Sequence, residues 1–143
     1  MPATPESRAR TRAFARVIGP FLSIIAAIVA VRMPKIGSLV ASFFDSPMLV
    51  WMTGAMLLLG GVFIIANHQY WSGPSAILIS LFGWFLALRG VVLLAAPHLI
   101  QRGAAVAQKQ SLMPVAKAFL AVLVLIGLWL TFEGWFAKPP ATT

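Results

Sequence analysis

The stretch PMLVWMTGAMLLLGGVFIIA, residues 47–66, contains no charged side chain. A helix that crosses the hydrocarbon core of a bilayer needs about 20 predominantly apolar residues, and a soluble fold does not require several such runs in succession. Three more uncharged apolar runs lie at 17–31, 74–88 and 118–132. The sequence therefore predicts an all-α integral membrane protein with four transmembrane helices.

The predicted domain organisation is simple. We place the four spans at about 14–33, 47–66, 74–97 and 115–137. They form a single transmembrane domain at 13–138, preceded by a disordered basic tail at 1–12 and followed by a C-terminal tail at 139–143. After four spans are subtracted, the remaining pieces are too short to build a soluble core.

Two connections, 36–45 and 98–112, are predicted to be short interfacial amphipathic segments. Along the first, apolar residues recur at the spacing of one helix face: Ile36, Leu39, Val40, Phe43 and Phe44. This pattern is typical of a helix lying in the membrane interface. A loop that packs on the spans is the alternative interpretation.

The composition excludes several classes of site and partner. The chain has 143 residues and no cysteine, so disulfides, thiolate metal sites and cysteine nucleophiles are excluded. Its formal charge of +8 comes mostly from Lys and Arg at the ends of the apolar runs. Basic residues in those positions interact with anionic headgroups, so we predict the lipid bilayer as a partner and not nucleic acid.

Orientation is weakly determined by charge, because each side of the predicted topology carries five Lys or Arg residues. The N-terminal segment holds four arginines, at positions 8, 10, 12 and 16. A tail of this charge resists translocation, and the first span usually dominates orientation. We therefore predict that both termini are cytoplasmic.

Arg89 is the sharpest candidate for function. It lies between Leu88 and Gly90, eight residues before Pro97, inside an apolar run. An arginine within a span costs a few kcal/mol on insertion scales and usually faces a partner or a water-filled cavity. One interpretation is contact with an anion, a lipid headgroup or another subunit. The other is that the side chain snorkels to the interface, helped by the space beside Gly90.

Trp84 and His68 are the other candidates for ligand or partner contact. Trp84 lies deep in the third span beside Gly83, where it either packs between helices or contacts a pigment or quinone ring. His68 and His98 lie at opposite ends of that span, and neither has a second ligand at metal-binding spacing. We expect each histidine to contact headgroups or cap backbone, and we predict no metal and no cofactor.

Glu133 is the only acidic residue in the second half of the chain. Its axial offset from Arg89 in an antiparallel neighbour is about 15 Å, so we expect no salt bridge between them. We expect Glu133 to be hydrated or protonated near the interface. The sequence contains no recognisable Ser/His/Asp set, phosphate loop or carboxylate pair, so we predict that the protein is not an enzyme.

Small residues on the second and third spans predict close helix packing in lipid. These residues are Gly54, Gly60, Gly83, Ala87 and Gly90. The two halves of the chain also follow a similar plan, since a Gly-Pro pair at 19–20 matches one at 73–74 and Pro47 matches Pro114. This similarity suggests a duplicated hairpin with parallel copies.

Residues 48–100 carry a pattern that resembles a known group of proteins. The pattern comprises an Asn-His-x-x-Trp turn at 67–71, a Gly-Trp pair at 83–84, a basic-Gly pair at 89–90 and a proline at 97. It resembles uncharacterised small bacterial inner-membrane proteins with four spans. The resemblance implies a bacterial inner-membrane location and a shared structural plan for Arg89, Trp84 and His68, but it implies no activity.

These features predict a non-enzymatic accessory or structural subunit of a bacterial membrane complex, or a protein that self-associates in the membrane. Its partners would be other membrane protein subunits or further copies of the chain. A small oligomeric transporter or channel, with Arg89 lining an anion path, is one alternative. A lipid- or quinone-binding protein that uses Trp84 and the interfacial helices is another.

Overall fold

The computed structural model describes residues 4–136, which are helical almost throughout and contain no strand. The four long helices are α1 (Pro5–Arg32), α3 (Pro47–Asn67), α4 (Pro74–Ala95) and α6 (Met113–Trp135). Two short helices connect them, α2 (Ile36–Phe44) and α5 (Pro97–Ala107), with 3-10 turns at Met33–Lys35 and Gln110–Leu112. The long helices are apolar and long enough to cross a membrane, which confirms the predicted helical fold with four such segments.

The N-terminal segment differs from its prediction. Residues 5–12, expected in a disordered tail, form the first two turns of α1. Thr4 caps the helix by accepting from the Ser7 backbone N–H at 3.2 Å, and Arg10 forms a salt bridge with Glu6 at 3.1 Å. A hydroxyl N-cap, a proline at the first helical position and an acid in the first turn each favour a helix start. Residues 1–3 and the predicted tail at 139–143 lie outside the described residues.

The third predicted span, 74–97, is interrupted just before its end. α4 stops at Ala95, and Ala96 adopts a non-helical conformation with φ −147° and ψ 63°. A residue that precedes proline is driven out of the helical region, so Pro97 ends α4 and opens α5. The segment at 36–45 is helical over Ile36–Phe44 as α2 and is not a loop, while its position in the membrane interface stays a prediction.

Two helix pairs carry most of the packing, α1 with α6 and α3 with α4. Glycines bring the backbones together in both. A Cβ added at Gly127 would lie 2.6 Å from the Ser23 nitrogen in α1, and one added at Gly90 would lie 2.5 Å from the Leu58 nitrogen in α3. Such distances are too short for any side chain, so these crossings require glycine.

The predicted packing residues do not all lie in these contacts. Gly54 approaches Gly90, Gly83 packs on Ile64, and Ala87 packs on Gly61. Gly60 is different, because no described heavy atom comes within 4 Å of a Cβ added there. Positions 54 and 61 are two helical turns apart and share a face, whereas position 60 is rotated by about 100° from position 61. The contact with α4 therefore uses Gly61, which was not among the predicted packing residues.

The two helix pairs use equivalent contacts. The matched contacts are Gly19 with Leu130 and Gly83 with Ile64, then Ser23 with Gly127 and Ala87 with Gly61. The α1 positions 19 and 23 correspond to the α4 positions 83 and 87, and each correspondence spans the same 64 residues of the chain. The α3 positions 61 and 64 likewise correspond to the α6 positions 127 and 130. Exchanging the segment α1–α3 with the segment α4–α6 thus maps the contacts of one helix pair onto those of the other. We call this correspondence of contacts between parallel halves the pseudo-twofold.

This relation corrects the register of the duplication suggested by the sequence. Gly19 corresponds to Gly83 in the contacts, and the Gly-Pro pair at 73–74 lies ten residues earlier. Gly73 does not take part in the helix pairs. It lies in the turn between α3 and α4 with φ 108°, a backbone conformation that residues other than glycine rarely adopt. The core lies where the long helices meet and consists of Ala15, Ile18, Ile64, Ile79 and Leu130.

Candidate functional site

A cavity of about 250 Å³ opens between the two short helices and the α3–α4 pair. Its lining is apolar apart from Thr53 and Arg89. The other lining residues are Ile36, Leu39, Val40, Phe43 and Phe44 from α2, Leu57 from α3, Leu93 from α4, and Ile100 and Ala104 from α5. The apolar face of α2 found in the sequence therefore faces this cavity.

Arg89 is the one charged residue of the lining. It is exposed and lies six residues before the end of α4, about 9 Å along the helix axis. Among residues 4–136 the one salt bridge joins Arg10 to Glu6, so Arg89 has no ionic partner there. A guanidinium beside an apolar cavity combines a charge that binds carboxylate or phosphate with a surface that binds hydrocarbon.

Arg89 belongs to a strongly basic end of the molecule. α2, α5, the end of α4 and the start of α6 lie at this end, which we call the α2–α5 end. Its exposed basic residues are Arg32, Lys35, Arg89, Arg102, Lys109 and Lys117, and its acidic residue among those described is Asp45. The excess of positive charge favours an anionic ligand or an anionic lipid surface.

His68 lies at the opposite end, which we call the turn end, and is 1% exposed. Its Nε2 lies 3.0 Å from the Thr11 hydroxyl of α1, and its Nδ1 lies 3.2 Å from the Ser80 hydroxyl of α4. Ser80 also lies 3.0 Å from the Tyr70 carbonyl oxygen, to which its hydroxyl donates. The imidazole thus joins the end of α3 to α1 and α4. Of the two expected contacts, a ring this buried does not reach headgroups, whereas His68 is the C-cap of α3, where its backbone N–H donates to the Ile64 carbonyl oxygen at 2.8 Å. The ring is buried because α1 continues to Pro5 and covers it.

The surroundings of His68 favour the uncharged ring. Burial lowers the pKa of His68 below its ordinary value of 6.5, and its backbone hydrogen bond raises that pKa by less. Because the Ser80 hydroxyl donates to Tyr70, it accepts from Nδ1–H of the ring. A neutral imidazole then accepts at Nε2 from the Thr11 hydroxyl, whose other acceptor is the Ser7 carbonyl oxygen at 2.8 Å. The rings of Phe14 and Tyr70 pack edge-on against it, each with its centroid 5.4 Å away.

Glu133 forms a second polar cluster at the turn end. It accepts hydrogen bonds from the Ser75 hydroxyl and, at 3.1 Å, from the Trp129 indole nitrogen. Ser75 lies in the first turn of α4 and precedes Arg89 by nearly four helical turns, about 21 Å along the axis. Glu133 and Arg89 therefore lie at opposite ends of the molecule and do not pair.

The two polar clusters are related by the pseudo-twofold. The shift that takes position 19 to 83 takes Thr11 to position 75, and the shift that takes position 61 to 127 takes His68 to position 134. The counterpart of the Thr11–His68 contact would therefore join positions 75 and 134, and the observed contact joins Ser75 to the adjacent residue, Glu133. Each half of the chain thus holds its two long helices together with a hydroxyl bonded to a titratable side chain. Both clusters therefore have a structural role, and the titratable side chain in each is already hydrogen-bonded within the bundle.

The structure separates the three candidate residues instead of bringing them together. Arg89 lies at the α2–α5 end, His68 is buried at the turn end, and Trp84 is 50% exposed on the outer surface of α4. Trp84 does not pack in the α3–α4 contact, which leaves its outward ring available to lipid or to another chain. The hydroxyl partners Thr11, Ser75 and Ser80 were missed, because single Ser and Thr residues in apolar helices carry no distinctive pattern.

Comparison with known proteins gives no match, whether to protein-family models, to curated proteins or to solved structures. The resemblance to small bacterial inner-membrane proteins therefore stays a prediction.

Proposed function

We propose that this chain is a non-enzymatic membrane protein that associates, through an exposed face of α3, with a larger bacterial inner-membrane complex or with its own copies. The proposal includes insertion of the four long helices with both termini in the cytoplasm. Support for insertion comes from their length and hydropathy. Large apolar side chains also cover their outer surfaces, for example Phe85 at 58% and Leu88 at 60% exposure. Surfaces of this kind are stable in lipid and mark interaction sites in water.

Gly60 is the observation that carries the association. The other glycines of the four long helices each lie against a neighbouring helix, whereas Gly60 has no described neighbour within 4 Å of an added Cβ. Glycine in a helix interior is about 1 kcal/mol less favourable than alanine, and small residues in membrane helices allow another helix to approach. An open glycine at the middle of α3 therefore favours a contact with a second chain.

The state of the polar side chains supports a binding role over a chemical one. His68 and Glu133 are each held by hydroxyl or indole partners within the bundle. Arg89 is an exposed cation beside an apolar cavity whose lining contains one hydroxyl, that of Thr53, and no general base to activate it. These groups can bind or position but do not form a set for bond breaking.

The test compares particle mass for the Gly60→Leu and Gly103→Leu variants, each tagged at the C-terminus and extracted in mild detergent from its native membrane. Gly103 in α5 is a matched control, because it too has no described atom within 4 Å of an added Cβ. We expect the unchanged protein and Gly103→Leu to run in a particle larger than one chain. Gly60→Leu should shift the protein to the mass of one chain.

A particle of single-chain mass for the unchanged protein would contradict the proposal, and so would a Gly60→Leu particle of unchanged size. The subunit composition decides between the two forms of association. Foreign subunits in fixed ratio favour an accessory role, and copies of this chain alone favour self-association. If such an oligomer also conducts anions in vesicles and loses the flux with Arg89→Ala, the channel alternative is favoured.

A further inference from the structure

We propose that the cavity between α2 and α5 binds an anionic phospholipid, with Arg89 contacting the headgroup phosphate and the apolar lining holding part of an acyl chain. This inference does not depend on association through α3, because Gly60 does not line the cavity. It assigns a ligand class to a site formed entirely within one chain.

The charge at this site selects an anion. Arg89 is the one charged lining residue, and no described carboxylate lies within salt-bridge distance of it. The other exposed cations of the α2–α5 end outnumber Asp45, its one described acid, by five to one. Arginine matches phosphate geometry with paired donors, so the guanidinium can bind a headgroup phosphate in either leaflet.

The lining selects hydrocarbon. α2 and α5 contain no buried residue, so their apolar side chains are only partly covered by the rest of the chain. The cavity of about 250 Å³ is smaller than the roughly 300–1,000 Å³ of pockets that enclose a drug-sized ligand. It therefore accommodates a section of a flexible chain whose remainder stays in the surrounding lipid.

The position of Arg89 suits a lipid headgroup better than a neutral ring. Its Cα lies about 9 Å inside the end of α4, and a side chain as long as that of arginine can carry its charge toward the interface. The two short helices line the cavity, and two exposed cations accompany them, Lys35 just before α2 and Arg102 within α5. A quinone or pigment ring can accept a hydrogen bond from the guanidinium or stack on it, but it has no negative charge and therefore gains less from the cation than a phosphate does.

The experiment measures lipid retention by the full chain in neutral detergent, using native mass spectrometry. The added probes are phosphatidylglycerol and phosphatidylcholine with the same acyl chains, supplied in equal amounts. Arg89→Gln is compared with Arg102→Gln, which removes the same charge from the same end but does not line the cavity. Ala104→Trp, which fills the cavity, is compared with Ala105→Trp, which replaces an exposed residue outside the lining.

We expect the unchanged protein to retain phosphatidylglycerol in preference to phosphatidylcholine. Loss of a charge-assisted hydrogen bond should weaken phosphatidylglycerol retention by about tenfold in Arg89→Gln. Ala104→Trp should lower retention of both lipids, and the two control variants should behave like the unchanged protein. None of the four positions contributes to the glycine contacts of the helix pairs, so folding is expected to be preserved.

Three results would overturn the proposal. The first is equal retention of the two lipids by the unchanged protein. The second is an undiminished preference for phosphatidylglycerol in Arg89→Gln, which would mean that the side chain only snorkels. The third is an equal loss in Arg102→Gln and Arg89→Gln, which would mean that the general charge of the surface attracts the lipid and the cavity does not.

Discussion

Gly60 and Gly61 are adjacent in the chain but have opposite surroundings. A Cβ at position 61 would lie 2.7 Å from the Ala87 Cα, and one at position 60 would meet open space. We predict that Gly61→Ala lowers the free energy of unfolding by about 1–3 kcal/mol, because the α3–α4 contact has no room for a methyl group. Gly60→Ala should leave it unchanged or raise it by up to about 1 kcal/mol. Titration with a denaturing detergent, followed by circular dichroism, measures both.

A similar loss in the two alanine variants would contradict the rotational setting of α3 described here. A loss confined to Gly60→Ala would mean that α3 presents the other glycine to α4.

His68 predicts a dependence of stability on pH. Because its pKa is lowered in the folded protein, the unfolded chain binds more protons as the pH falls below the ordinary value of 6.5. The contribution of His68 to stability is therefore complete above about pH 6.5 and declines as the pH falls toward the folded pKa. The thermal unfolding temperature in detergent should decrease between about pH 7.5 and about pH 5.5.

Two histidine variants isolate this effect. His68→Gln keeps a polar side chain that does not titrate, so its unfolding temperature should be lower at neutral pH but should respond less to acid. His98 is exposed, and His98→Gln should keep the pH response of the unchanged protein. If His68→Gln and the unchanged protein respond to acid equally, the buried imidazole is not the group responsible.

Single residues differ in how far the sequence predicts their environment. Arg89 stands out because a charge inside an apolar run is visible without any structure. The burial of His68 is not, since it depends on α1 passing over the end of α3, a contact between positions 57 residues apart. Which of Gly60 and Gly61 contacts α4 also depends on how α3 is rotated about its axis. The sequence of an apolar helix does not indicate that rotation.

Among the helices, the start of α1 is where the structure and the prediction from sequence differ in a way that can be measured directly. If residues 5–12 are helical, their backbone amides beyond the first turn should exchange with solvent more slowly than in an unstructured tail. Thr4→Ala removes the N-cap and should destabilise this segment by about 1 kcal/mol. Hydrogen exchange followed by mass spectrometry measures the protection and its loss.

Exchange of residues 5–12 at the rate of a free peptide in the unchanged protein would restore the tail interpretation. Unchanged protection in Thr4→Ala would show that packing of Thr11 on His68, and not the cap, holds the segment.

Helix limits were predictable where a local signal fixes them. Pro47 and Pro74 open α3 and α4 at the predicted positions, and proline is well suited to the first turn of a helix. Ala96 shows how a proline can also divide a predicted span, because the residue before it leaves the helical region. The start of α1 carries the same kind of signal at Thr4 and Pro5, but the arginines that follow it drew the interpretation toward a tail.

At the level of the whole molecule, the pairing of helices could not be predicted from the sequence. Within their uncharged stretches the long helices are apolar on all sides, so hydrophobic periodicity does not indicate which face meets which neighbour. The pairs α1–α6 and α3–α4 emerge only from the glycine contacts. The same contacts give the register of the suggested duplication, in which position 19 matches 83 and position 61 matches 127. All four residues are glycine, but no single shift along the sequence aligns the two halves, because the first match spans 64 residues and the second spans 66.

The pseudo-twofold predicts that the two halves recognise each other as separate chains. Fragments 1–72 and 73–143, co-expressed with a tag on one of them, should copurify, because both main helix pairs join one half to the other. Gly61→Leu should weaken recovery of the untagged fragment, and Gly60→Leu should not. Failure of the fragments to copurify while both are present in the membrane would contradict this assignment of contacts.

The pairing of α1 with α6 also has a consequence for biosynthesis. α1 ends at Arg32 and α6 begins at Met113, so a ribosome must add about 80 residues before the first helix can meet its partner. During that interval α3 and α4, joined by a short turn, are able to pair, while the narrow glycine and serine face of α1 stays uncovered. A nascent chain that stops before Met113 would therefore leave this face of α1 without its partner and accessible to membrane proteases. The packing of α1 is complete only after α6 has been made.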